Sequence, residues 1–170
     1  ETEIHKRFSI SSNWPYPSWS GYAIYETISD LNFQSAVDLW FSDEANATFT
    51  YGHISDWNVS TVTDMQSAFQ DRNGFNEDIS GWNVSSVTHF GVMFYRAIAF
   101  DQDIGNWEVS SSLSFTSMFN GAKSFNQDIS VWDIHSNANL SQMFRWAQAF
   151  DQDLSNWNVS SDNNMSMIFQ

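Results

Sequence analysis

Phe75-Asn76-Glu77-Asp78-Ile79-Ser80-Gly81-Trp82-Asn83-Val84-Ser85-Ser86-Val87-Thr88 is answered by Phe125-Asn126-Gln127-Asp128-Ile129-Ser130-Val131-Trp132, and this echo decides how the chain must fold. Working outward, Trp57, Trp82, Trp107, Trp132 and Trp157 fall 25 residues apart. Phe69, Phe94, Phe119, Phe144 and Phe169 keep the same step, as do Phe75, Phe100, Phe125 and Phe150, and a column Ile54, Ile79, Ile104, Ile129, Leu154 runs beside them. A register that never slips is the signature of a tandem array, in which each unit buries its apolar face only against its neighbours. The tryptophans, with Phe94, Phe119 and Phe144, are therefore expected to form internal ladders of like upon like. Each buried ring should contribute about 1.5–3 kcal/mol before the entropy of ordering is counted.

Within a unit, Trp82 and Val84 lie two apart, which suits one side of an extended segment. Ser85-Ser86 then precede Val87, Phe90, Met93 and Phe94, whose spacing reads as one or two helical turns behind a serine cap. One strand and one short helix per unit predict an α/β repeat solenoid: a right-handed leucine-rich-repeat-like stack with one parallel β-sheet, its strands about 4.8 Å apart. The competing architecture is a parallel β-helix with three short strands per coil. Residues 1–29 read as an aromatic arm, 30–48 as a helical cap with Phe33, Val37, Trp40 and Phe41 on one face, and 49–170 as five units, the last incomplete.

The recurring phrase ending in Trp, Asn or Asp, Val and Ser resembles the bacterial surface protein repeat, a leucine-rich-repeat-like family of mycoplasma surface lipoproteins, marine bacteria and algae. Tyr51-Gly52-His53-Ile54-Ser55-Asp56-Trp57 is similar to the family's entry into its first repeat. The resemblance covers about residues 49–170 and implies an extracellular or cell-surface protein, non-enzymatic, used in adhesion or surface architecture. Asn137-Ala138-Asn139 and Asp162-Asn163-Asn164 depart from the family's Val-Thr and bear on the packing of the last two units.

Composition narrows the partners. Twenty acidic against six basic residues give a net charge of −14, which opposes a phosphate backbone and excludes nucleic acid as the expected partner. Cysteine is absent, so thiolate chemistry is too. No apolar run reaches about 18 residues, so no membrane span is expected. The start at Glu1-Thr2-Glu3 reads as a processed terminus, a removed secretion signal being one explanation. The partners expected are other proteins, copies of the same chain, or glycans.

Three sets of polar residues invite a chemical reading. Asp101, Asp103, Asp151 and Asp153 offer oxygen ligands of the kind calcium takes, against the plainer reading that their column accepts backbone hydrogen bonds at a turn. The column Ser60, Ser85, Ser110, Ser160 is either a set of turn caps or a hydroxyl face for ice or sugar. Asn46, Asn58 and Asn83 sit in Asn-x-Ser/Thr sequons and are candidate glycan carriers. Trp14, Tyr16 and Trp19 in the arm, and Phe169 in the last unit, are candidate assembly contacts, with head-to-tail stacking into a filament as the variant they suggest. No catalytic set is found: His5, His53, His89 and His135 form no metal pair, and no phosphate loop or nucleophile elbow occurs.

Overall fold

A computed structural model describes residues 25–169. Trp14, Tyr16 and Trp19 lie outside the described residues. The described segment opens with two helices, α1 (Phe33–Ser42) and α2 (Glu44–Tyr51), followed by a 3-10 turn, Ile54–Asp56. Asp43 separates the helices: its N–H closes α1 on the Leu39 carbonyl, and its carboxylate accepts from the Asn46 N–H as the cap of α2. Phe33, Ala36, Val37 and Trp40, spaced three, one and three, put one buried face of α1 over the first units.

Beyond Asp56 the described chain contains neither strand nor helix, which corrects the expected architecture. It is neither a leucine-rich-repeat-like α/β stack with a parallel sheet nor a parallel β-helix. Direct β pairing is confined to one isolated parallel bridge per unit, in the row Asp64, His89, Ser114, Asn139 and Asn164.

The hydrogen bonds give the physical reason. In residues 64–72 the amides of Met65, Ser67, Phe69 and Asp71 donate to His89, Gly91, Met93 and Tyr95 of the next unit. The intervening amides of Ala68, Gln70 and Arg72 donate three residues back, to Met65, Ser67 and Phe69. Every second peptide thus points along the stack, and the peptides between them close overlapping turns. An extended ladder cannot form where alternate residues turn, and a helix cannot form where half the amides leave the segment.

The turns also explain the misleading periodicity. In the turns that close on Met65 and on Phe90 the first and fourth residues are buried, so Met65 and Ala68, or Phe90 and Met93, recur at the three-residue spacing a helix would give. Positive φ recurs at the same place in each unit, at Ser67, Val92, Ser117, Gln142 and Met167, and again at Asp71, Arg96, Gly121 and Trp146. A third turn residue with positive φ is what a type II turn needs. Valine at φ 61° is strained, and the turn is held there by amides paired on both sides.

The units stack in register. Phe69, Phe94, Phe119, Phe144 and Phe169 follow one another at centroid distances of 5.5 to 5.7 Å, nearly parallel. Phe75, Phe100, Phe125 and Phe150 form a second column at 5.8 to 5.9 Å. Within a unit the two columns meet face to face, Phe94 on Phe100 at 3.8 Å. The indole N–H groups of Trp82, Trp107, Trp132 and Trp157 donate to the carbonyls of Ile54, Ile79, Ile104 and Ile129, each in the preceding unit. That bond needs a ring with a donor on its rim, which phenylalanine lacks.

The stack begins under α1. Phe33 meets Trp82 edge-on, Trp40 meets Trp57, and Phe41 meets Phe69 and Phe75. Asp30 supplies the acceptors that a preceding unit would give: its carboxylate takes the Thr63 amide and hydroxyl at 2.7 Å each.

In the fourth and fifth units one turn slides by a residue. The turn closes from Val87 to Val84 and from Ser112 to Val109, but then from Ala138 to His135 and from Asn163 to Ser160. The buried column is therefore Val62, Val87, Ser112, Ala138, Asn163, so that Asn137 and Asp162, the strict 25-residue equivalents, stay outside. Asn163 meets its own polar needs inside, donating to the carbonyls of His135 and Ala138 at 3.0 Å each.

Candidate functional site

The acidic columns are engaged by the backbone. Asp78, Asp103, Asp128 and Asp153 each accept the amide two residues on, at 2.9 to 3.0 Å. Asn76, Asp101 and Asn126 accept the amides of Asp101, Asn126 and Asp151, one unit further along. The structure thus divides Asp101 and Asp151 from Asp103 and Asp153, one pair in each ladder. Among the described residues no group of three His, Cys, Asp or Glu is arranged to hold a metal ion.

These bonds favour the ionised carboxylates. The Ser80 and Ser130 hydroxyls and amides beside Asp78 and Asp128 hold those carboxyls below their ordinary range, as the Ser155 amide and hydroxyl do for Asp153. The Thr63 amide and hydroxyl act likewise on Asp30. A carboxyl whose folded pKa lies below its unfolded one stabilises the fold above the unfolded value, and that contribution is lost as pH falls. The melting temperature is expected to hold between pH 7 and 5 and to drop below about pH 4. A melting temperature that rises on acidification would contradict the assignment.

The hydroxyls expected to form a ladder are partly turned inward on the chain: Ser60 and Ser85 each donate to their neighbours Asn58 and Asn83 at 2.7 Å. Asn46, Asn58 and Asn83 are exposed. Phe169 stacks on Phe144 at 5.5 Å and is 59% exposed. Among the described residues no helix is long and apolar enough to cross a membrane.

The site that sequence columns missed lies at the corner where the second positive-φ position recurs. Two of the six basic residues, Lys6 and Arg7, precede the described segment; the other four, Arg72, Arg96, Lys123 and Arg145, all belong to this corner. Arg72 is held against the cap, 2.8 Å from Asp38 and 4.4 Å over the Phe41 ring. Arg96, Lys123 and Arg145 line a groove of about 730 Å³ that runs across the first four units, from Asp71 and Asn73 to Trp146 and Gln148.

Gly121 lines the groove in the column that carries Arg96 before it and Trp146 after it, and the Arg96 stem packs over the space its side chain would take. Its φ of 76° suits glycine, and a Cβ there would come within 3.1 Å of the Arg96 side chain. Trp146 is 55% exposed, with the Arg145 guanidinium 5.5 Å above its ring, and Arg96 lies 5.0 Å over Tyr95. Arg96 is 3.9 Å from Asp71, a loose pair. Neither Lys123 nor Arg145 has a carboxylate partner among the described residues. The Arg145 Nε is buried with no hydrogen-bond partner, a donor left unused at the groove wall.

Fold and groove together define a stacked-repeat protein with a basic lateral cleft on a strongly acidic chain. The chain belongs to the family described as Mycoplasma protein of unknown function, DUF285, whose model matches residues 23–121 and again residues 92–170. That overlapping double match agrees with a repeated unit, and it supports the mycoplasma-type resemblance without extending to leucine-rich-repeat architecture. No curated protein and no solved structure matches the chain.

Proposed function

We propose that this chain is a non-enzymatic binding module of an extracellular surface protein, and that it engages its partner in the lateral groove. The observation that carries the reading is the gathering of Arg96, Lys123 and Arg145, three of the four described lysines and arginines, in one groove of a chain of net charge −14. Scattered lysines and arginines would serve solubility; here Lys123 and Arg145 have no carboxylate partner among the described residues and Arg96 only a loose one at 3.9 Å, which leaves an unmet demand for an anion. Membership of a mycoplasma-type repeat family is compatible with a surface protein. The groove also holds Asp71, Ser117 and Tyr95, and among the described residues no hydrogen bond sets the Ser117 hydroxyl or the Lys123 amine against a base, so the catalytic alternative has little to recommend it.

Head-to-tail assembly finds less support than groove binding. A filament of that kind needs two open, complementary ends, and α1 lays Phe33, Trp40 and Phe41 over the ring columns at one of them.

The test is a binding array of glycans and surface proteins. Wild-type chain is expected to bind one class reproducibly, and the double variant Lys123→Glu, Arg145→Glu to lose at least tenfold in affinity. Equal binding by that variant, with an unchanged melting temperature, would overturn the reading.

A further inference from the structure

We infer that the groove takes an acidic saccharide chain, its carboxylate or sulfate groups on Arg96, Lys123 and Arg145 and a sugar ring on the exposed face of Trp146. The inference rests on the groove reading above and adds the chemical class of the ligand.

Three features select that class. The cations come one per unit, from the second, third and fourth units, and the ring columns set the step between units at 5.5 to 5.9 Å. A chain carrying one anion per sugar presents its charges singly along its length, as the groove presents its cations.

The lining beside the cations is polar and planar, with Asn120, Gln142 and Gln148 offering amides that both donate and accept, as sugar hydroxyls require. Trp146 supplies a broad apolar face with a stiff side chain, the surface a pyranose ring's C–H groups lie against.

An acidic peptide is served less well. Arginine clusters also recognise acidic peptides, but strand addition at a free edge or apolar side-chain pockets supply the rest of a peptide's affinity. Here the backbone is already paired, Arg96 N–H to the Asn120 carbonyl and Gly121 N–H to the Arg145 carbonyl, and Ile98 is the one aliphatic side chain in the lining.

The experiment is isothermal calorimetry of the whole chain with four probes: a polyuronate oligosaccharide, a sulfated oligosaccharide, a neutral β-glucan oligosaccharide and an oligoglutamate peptide. One or both acidic saccharides are expected to bind, and which of the two binds identifies the anion. Lys123→Gln and Arg145→Gln should each weaken binding at least tenfold. Trp146→Ala, at an exposed ring, should weaken it too with the melting temperature retained. Binding of the neutral glucan as tightly, or of oligoglutamate as tightly, would overturn the inference, as would no binding by either acidic saccharide. If the array of the preceding section still gives groove-dependent binding of a protein, this inference fails while the groove reading stands; if groove variants change nothing there, both fail.

Discussion

Replacing Phe100 with alanine is expected to remove about 3–5 kcal/mol of stability, the cost of a large cavity in a packed interior. Phe100 is fully buried and sits where both ring columns meet: 3.8 Å from Phe94, and 5.9 Å from Phe75 and from Phe125. Its neighbours cannot close the gap, because each is fixed by its own unit's turns and by paired amides on both sides. For a chain of this length the melting temperature should fall by about 10 °C or more. Phe169→Ala is the control, since that ring stacks on one neighbour only and is 59% exposed; it should cost less than about 1 kcal/mol. Similar losses at both positions would mean that the rings do not form continuous columns.

Restoring the repeat's own serine at position 105 is expected to destabilise the protein, by about 1–3 kcal/mol for overpacking. The column reads Ser55, Ser80, Gly105, Ser130, Ser155, so an argument from the repeat alone makes Gly105→Ser harmless or helpful. A Cβ on Gly105 would stand 2.5 Å from the Asp128 carbonyl oxygen, a backbone atom of the next unit that cannot step aside as a side chain could. The neighbouring units would have to separate locally. Gly81→Ala serves as the comparison, because a Cβ there meets nothing within 4 Å. Melting curves that place Gly105→Ser at or above wild type would show that the units sit further apart at this point.

These two positions also mark how far the sequence could be read. The repeat and its ring columns were legible because a 25-residue step from Trp57 to Trp157 has no other economical explanation. The local backbone was not. Buried residues three apart, such as Phe90 and Met93, serve a helix and a chain of overlapping turns equally, and only the direction of alternate amides separates them. A strict register also misplaced the fourth unit, where Ala138 rather than Asn137 fills the valine column after a one-residue slide.

The groove escaped for a related reason. Arg72, Arg96, Lys123 and Arg145 are 24, 27 and 22 residues apart, so none shares a column with another. Counted within the 25-residue unit, however, they occupy four adjacent positions. A search for clusters by position in the unit, and not for identical columns, would have brought them together. The aspartates at 101, 103, 151 and 153 drew attention instead because they do repeat, and repetition here serves the backbone.

The claim on which the rest depends is the alternation of amides between the next unit and the same turn. Hydrogen-bond scalar couplings between amide nitrogen and carbonyl carbon, measured by NMR on isotopically labelled protein, report each donor and its acceptor directly. The account predicts couplings from Ser67 to Gly91, Val92 to Thr116, Ser117 to Ser141 and Gln142 to Ser166, interleaved with couplings from Gln70 to Ser67 and Tyr95 to Val92. An unbroken run of couplings four residues back, or unit-to-unit couplings with no turn closures between them, would contradict it.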